Sequence, residues 1–235
     1  MTRALLLAGG ALCLLAAAAE PHVFVDGTDR AVAHWLEQHE AYAERARRGG
    51  IDLLFLGDSL TYAWNFDGRE IWATDFVPLG GVTFGIGGDR TGDVLWRVEH
   101  GEVEGSGAAT VVLEVGTNDL AVGAGAEATA DGVEACVRAI QAKVPRATVV
   151  VMGIFPRGMG DGTTPMRRLI AGVNARLAKL DDRKRVRFLD LTPGFLDSAG
   201  AVRPELYHPD LIHLSAAGYR VWSDGLRPLL ARIPR

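Results

Sequence analysis

The chain has 235 residues, 48% hydrophobic and 23% charged, which is the profile of a globular protein long enough to bury one large core. Twenty-five Lys and Arg against 29 Asp and Glu leave a net charge of −4. That balance gives no electrostatic basis for binding nucleic acid or acidic membranes.

The first residues read as an address label. "MTR" supplies a basic start, "ALLLAGGALCLLAAAA" an apolar stretch of signal-peptide length, and Ala17-Ala18-Ala19 small residues for cleavage before Glu20. The expectation is a signal peptide over 1–19, a single domain over 20–235, and an exported (periplasmic or secreted) product with no stable membrane insertion after cleavage. Cys13 follows the bulky Leu12 and is not expected to carry a lipid. With the leader removed, Cys136 is the one cysteine left, which excludes an intrachain disulfide and a cysteine metal site. Its helical surroundings, "GVEACVRAIQAKV", predict a small core residue.

A helix is predicted over 30–48, stopped by Gly49-Gly50. "IDLLFLG" at 51–57 is a continuous apolar run, the pattern of a strand covered on both faces. Four further strands follow at 82–86 ("VTFGI", the weakest), 110–116 ("TVVLEVG"), 147–155 ("ATVVVMGIF") and 186–191 ("VRFLDL"). Helical patterns lie near 91–99, 126–144, 165–181 and 215–231. Strand alternating with helix predicts an α/β fold: a five-stranded parallel sheet with helices on both faces. Ligands of such sheets bind beyond the carboxyl ends of the strands, so the polar residues placed there carry the functional signal.

Those residues are "GDS" after the first strand, "GGDR" after the second, "GTND" after the third, "PRG" after the fourth, and a longer loop to "HPDLIHLS" after the fifth. Ser59 is by itself ambiguous, since a serine before a helix is equally a good N-cap and the sequence is not a G-x-S-x-G elbow. Asp210 and His213 change the balance. A three-residue spacing on one helical turn would put both side chains on one face, with the carboxylate fixing the imidazole tautomer. A serine hydroxyl becomes a competent nucleophile beside such a base. His208 is a rival base without an acid at that spacing. The glycine turn "GIGGD" and the amide of Asn118 offer N–H donors for an oxyanion. As plain structure, the two would be a turn and an Asx-turn residue.

"FLGDSL" (55–60), "GIGGDR" (85–90), "VGTND" (115–119) and "DLIHLS" (210–215) together resemble the four ordered blocks of the SGNH, or GDSL, hydrolase family, from about Ile51 to Arg232. "VLWRVEHGEVEG" and "IFPRG" are similar to the branch that includes the platelet-activating-factor acetylhydrolase catalytic subunits. The resemblance implies a flavodoxin-like three-layer α/β/α sandwich and cofactor-free ester hydrolysis. It implies Ser59 as nucleophile, His213 as base and Asp210 as its orienting acid. The N–H groups of Ser59 and Gly88 and the amide of Asn118 would form the oxyanion hole. That branch is cytosolic, which the leader departs from.

The expected reaction is hydrolysis of a short acyl ester, acetyl foremost, of a small molecule or glycan, without metal. Leu60, Phe155, Tyr207 and Ile212 flank the site in sequence and are expected to line the acyl pocket. Glu114 is expected to be buried against an arginine. Two other readings use the same residues: a metal-dependent phosphoesterase built on His208, Asp210, His213, Asp58 and Asp119, and a carbohydrate-binding module without turnover.

Overall fold

The computed structural model describes residues 29–160 and 162–234; the expected leader lies outside them. Helix α1 (Asp29–Arg47) leads into β1 (Leu53–Gly57), the short α2 (Ser59–Tyr62), α3 (Arg69–Asp75) and β2 (Gly81–Gly85). Next come α4 (Thr91–Arg97), β3 (Thr110–Glu114), α5 (Thr117–Ala121), α6 (Ala126–Lys143) and β4 (Thr148–Met152). The chain continues through α7 (Pro165–Leu177), β5 (Val186–Leu189), α8 (Thr192–Phe195) and α9 (Ala216–Leu230).

The five strands form one all-parallel sheet in the order β2-β1-β3-β4-β5. β1, β3 and β4 are buried at every position, as their continuous apolar runs predict, whereas the edge strands β2 and β5 are only partly covered. Successive residues in a strand point to opposite faces. Leu54, Leu56, Val111, Leu113, Val149 and Val151 therefore pack on one side, against residues of α1, α4, α6 and α7. Phe55, Val112, Val150 and Met152 pack on the other, against α3, α8 and α9. The second layer is aromatic: Phe55, Trp64, Phe76 and Trp222 are all fully buried. Trp64 meets Tyr219 edge-on with ring centres 4.5 Å apart. Burying each such ring contributes roughly 1.5–3 kcal/mol. Two core layers on one sheet make the expected three-layer sandwich.

The strand order fixes where a ligand can sit. The chain leaves β1 toward β2 on one side and leaves β3 toward β4 on the other, so the two connections diverge between the carboxyl ends of β1 and β3 and open a crevice there. Three of the polar blocks follow these adjacent strands: "GDS" after β1, "GGDR" after β2 and "GTND" after β3. The long helices match their periodicity. The short α2, α3, α5 and α8 were not predicted, because segments of four to seven residues are too short to display a helical period. Cys136 is fully buried in α6, and its thiol faces the Thr91 carbonyl at 3.3 Å.

Candidate active site

β1 ends on Gly57, opposite Glu114 in β3. A Cβ at residue 57 would stand 2.0 Å from the Glu114 carbonyl oxygen and 2.5 Å from Thr61 Oγ1, so glycine is required there by close approach of backbone. The next residue, Asp58, is the cap of α2: its Oδ1 accepts the Leu60 N–H at 2.9 Å. Ser59 is thus not the cap. It is the first helical residue, half-buried, with its hydroxyl released from capping.

Ser59 Oγ lies 3.0 Å from His213 Nε2, and His213 Nδ1 lies 2.6 Å from Asp210 Oδ2. The last contact is not made on a helical turn, as the spacing suggested. Residues 209–213 form a non-helical turn in which Leu211 has a φ of +53°, a backbone state uncommon outside glycine and typical of constrained functional loops. The turn is held by Asp210 itself, whose Oδ1 accepts the N–H groups of Ile212 and His213 at 2.9 and 3.0 Å. The His208 N–H donates to the His213 carbonyl at 2.8 Å, and Tyr207 pairs with Leu214 across the base of the loop. Burial pushes the Asp210 carboxyl upward. The bonds from the His213 ring and the two N–H groups outweigh it and bring the carboxyl to about 2. Asp210 is therefore ionised at neutral pH and accepts from Nδ1–H, which leaves Nε2 as the acceptor facing Ser59.

Gly88 takes a φ of +84° in the turn after β2, a conformation suited to glycine, and among the described residues its N–H has no acceptor. The turn passes close to the serine: a Cβ on Gly87 would lie 4.0 Å from Ser59 Cβ. Asn118, in α5, donates one amide N–H to the Asp89 carbonyl at 2.9 Å, which ties the β3 block to this turn and leaves a second amide N–H. Ser59, His213, Asp210, Gly88 and Asn118, spread over 154 positions of sequence, are thus gathered at one end of the sheet.

A buried ionic cluster stiffens the turn, and it escaped the sequence reading. Arg97, fully buried in α4, donates to the carbonyls of Gly57 and Phe84, at the ends of β1 and β2, at 3.2 and 2.7 Å. It also pairs with Asp89 and, at 2.8 Å, with Glu102, while Trp35 Nε1 donates to Asp89 at 2.7 Å. A buried arginine was expected, but as the partner of Glu114. The structure gives it to Asp89 and Glu102 because α4 lies on the opposite face of the sheet from Glu114. The one sequence sign was "LWR" at the end of an otherwise amphipathic helix.

The expected acyl-pocket residues lie elsewhere than expected. Leu60, Phe155 and Tyr207 belong to the core. Phe155 packs against Trp222 and Phe195 at 4.9 and 5.0 Å between ring centres, and the Tyr207 hydroxyl donates to the Pro156 carbonyl at 2.5 Å. Only Ile212, part-exposed on the Asp210–His213 turn, borders solvent.

The metal reading loses its ligands to other partners. His208 pairs with Asp67 at 3.2 Å. Asp119 accepts from the Thr91 N–H and hydroxyl at 3.0 and 2.6 Å, and Asp58 is fully buried under the serine. Among the described residues no group of three or more His, Cys, Asp or Glu is placed to hold a metal ion.

Comparison with known proteins agrees with this architecture. Residues 55–221 match the GDSL-like Lipase/Acylhydrolase family. The chain is 38% identical over 221 residues to the platelet-activating factor acetylhydrolase IB subunit alpha2 of Gallus gallus, covering 92% of this chain and 91% of that protein. It is 37% identical over 201 residues to the alpha1 subunit of Homo sapiens, covering 85% and 84%. A GDSL-like lipase structure from Bacteroides thetaiotaomicron superposes with a TM-score of 0.67 at 19% identity, over 85% of this chain and 98% of that one. The match to the IB subunits, an intracellular branch, corrects the expectation of export drawn from the leader. Among the described residues no helix is long and apolar enough to cross a membrane. With both its strand-end blocks and nearly its whole length accounted for in this way, the chain belongs to the GDSL-like lipase/acylhydrolase family and is an ester hydrolase.

Proposed function

We propose that this hydrolase cleaves short acyl esters, acetyl foremost, through Ser59, His213 and Asp210. The observation that carries the reading is the continuous hydrogen-bonded series Ser59 Oγ–His213 Nε2–Asp210 at the carboxyl end of the sheet. His213 Nε2 takes the hydroxyl proton as Ser59 Oγ attacks the ester carbonyl, and Asp210 stabilises the imidazolium that forms. The tetrahedral oxyanion lies against the N–H groups of Ser59 and Gly88 and the second amide N–H of Asn118. His213 returns the proton to the leaving alcohol. Water then repeats the sequence and frees the acid. The single domain over 20–235 and a small-molecule or glycan alcohol complete the reading.

Two features favour a small acyl group. The matched relatives are named acetylhydrolases, and the apolar side chains nearest in sequence to the serine are packed into the core, where they offer no wall to a long chain. A series of p-nitrophenyl esters is expected to give kcat/KM highest for acetate, lower for butyrate and lowest for octanoate, unchanged after chelator treatment. A preference for octanoate, or activity lost to EDTA and restored by zinc, would overturn the reading.

Asn118 separates a mechanistic from a structural role. If its amide serves the oxyanion, Asn118→Ala is expected to lower kcat and kcat/KM together by about 10²- to 10³-fold, roughly 3–4 kcal/mol, with little change in KM. Asn118→Asp is expected to do no better, because a carboxylate has no donor to offer and repels the developing charge. A turn residue would tolerate Asp, so steady-state kinetics on an active, stable Asn118→Asp enzyme would remove Asn118 from the site.

A further inference from the structure

The residues beneath Ser59 hold an unusual pair. Asp58 is fully buried and Glu114 is 1% exposed, and the backbones that carry them are directly paired at Gly57 and Glu114. Asp58 Oδ1 is satisfied by the Leu60 N–H. Among the described residues, Asp58 Oδ2 and both oxygens of Glu114 meet no donor. Two ionised carboxylates cannot hydrogen-bond to each other, and an unpaired charge buried at this depth is strongly unfavourable. One proton between them resolves both problems, since it removes a charge and supplies the missing donor. That is the arrangement of carboxyl pairs that share a site.

We propose that Glu114 is a positioning residue whose carboxyl stays protonated at neutral pH and donates a hydrogen bond to Asp58 Oδ2. Asp58 is then held as a single fixed carboxylate, and its grip on the Leu60 N–H sets the turn that presents Ser59. This deepens the proposed function and rests on Ser59 being the nucleophile.

The proton belongs on Glu114 because only Asp58 has an N–H to stabilise its charge. Burial, and after it the neighbouring Asp58 charge, pushes the Glu114 carboxyl well above its ordinary range. Among the described residues no cation pairs with Glu114. Tyr219, from α9, feels the charges of Glu114, Asp67 and Asp58, and its hydroxyl is committed to the Leu60 carbonyl at 2.6 Å. Asp58 also feels His213 from the catalytic turn, Asp119 from α5 and Arg157 from the segment after β4. Among the described residues Arg157 reaches no carboxylate within ion-pair distance, and its hydrogen-bond partner there is the Met166 sulfur at 3.6 Å. The pair must therefore solve its charge problem internally.

The test uses Glu114→Gln, which keeps a neutral donor, and Glu114→Leu, which removes it. The folded chain holds the Glu114 proton to a higher pH than the unfolded chain, which releases it near 4.3. Wild-type stability therefore falls, relative to Glu114→Gln, as pH rises above that value. The melting temperature of Glu114→Gln minus that of wild type is expected to widen by on the order of 5 °C between pH 5 and pH 9. With an aryl acetate, Glu114→Gln is expected to keep kcat within about twofold, while Glu114→Leu loses about 10- to 100-fold in kcat at similar KM through misplacement of the serine. If Glu114→Leu does not fold, Glu114→Gln and the melting series decide alone. A melting difference that does not change with pH, or a Glu114→Gln enzyme with less than a tenth of wild-type kcat, overturns the proposal. Mass spectrometry of a fluorophosphonate-treated sample reports separately on Ser59. If the label lands elsewhere, the nucleophile reading fails, while the melting series still decides where the proton resides.

Discussion

Ser59→Ala is expected to lower kcat by about 10⁴-fold or more while leaving the melting temperature near that of wild type. The two halves of this expectation come from different contacts. Among the described residues the hydroxyl makes one hydrogen bond, to His213 Nε2, and takes no part in capping α2, which Asp58 does. Removing it costs the fold almost nothing, because a half-exposed position tolerates a missing oxygen. It costs the reaction its nucleophile. What remains is the polarisation of a bound ester by the N–H groups of the Gly88 turn and Asn118 acting on water. Burst kinetics and thermal melting of the purified variant check both halves, and wild-type turnover would exclude the serine mechanism.

Asp210→Asn is expected to lower kcat by about 10⁴-fold for a reason specific to this loop. The carboxylate uses its two oxygens differently. Oδ1 accepts two backbone N–H groups and Oδ2 accepts the ring. Asparagine has one oxygen, and the two backbone donors claim it, so its amide NH₂ faces Nδ1. The ring must then accept at Nδ1 and carry its proton on Nε2, the atom that has to receive the proton of Ser59. The turn is kept and the tautomer is reversed. The wild-type carboxyl lies below its unfolded value, at about 2, so its contribution to stability is present above about pH 4 and is lost as pH falls toward 2. Asp210→Asn should not show that component of acid destabilisation. Steady-state kinetics with melting curves between pH 2 and pH 7 test both points. A variant that keeps more than a tenth of wild-type kcat would show that Asp210 does not set the tautomer.

The sheet and the residues at its mouth were legible in the sequence because both depend on local pattern. A strand covered on two faces must be apolar at consecutive positions, so β1, β3 and β4 could be placed from their runs alone. The weaker signals of β2 and β5 have the same origin, since edge strands are covered less completely. The polar blocks were visible for a related reason: chemistry in a parallel sheet collects where strands end, and a strand end is a change in local composition.

Which of those polar groups touch was decided by the tertiary structure. The strand order sets β1 beside β3, which brings Asp58 over Glu114 and leaves the buried arginine, on α4, to Asp89 and Glu102. Asp210 and His213 meet through a turn pinned by Asp210's own hydrogen bonds, a geometry that a three-residue spacing does not distinguish from a helix. Leu60, Phe155 and Tyr207 stand next to the site in sequence and turn inward, because the aromatic layer between the sheet and α9 needs their volume. Burial of an apolar run is a property of the run. The partner of a buried charge is a property of whatever the fold sets against it, so the first can be read from local pattern and the second cannot.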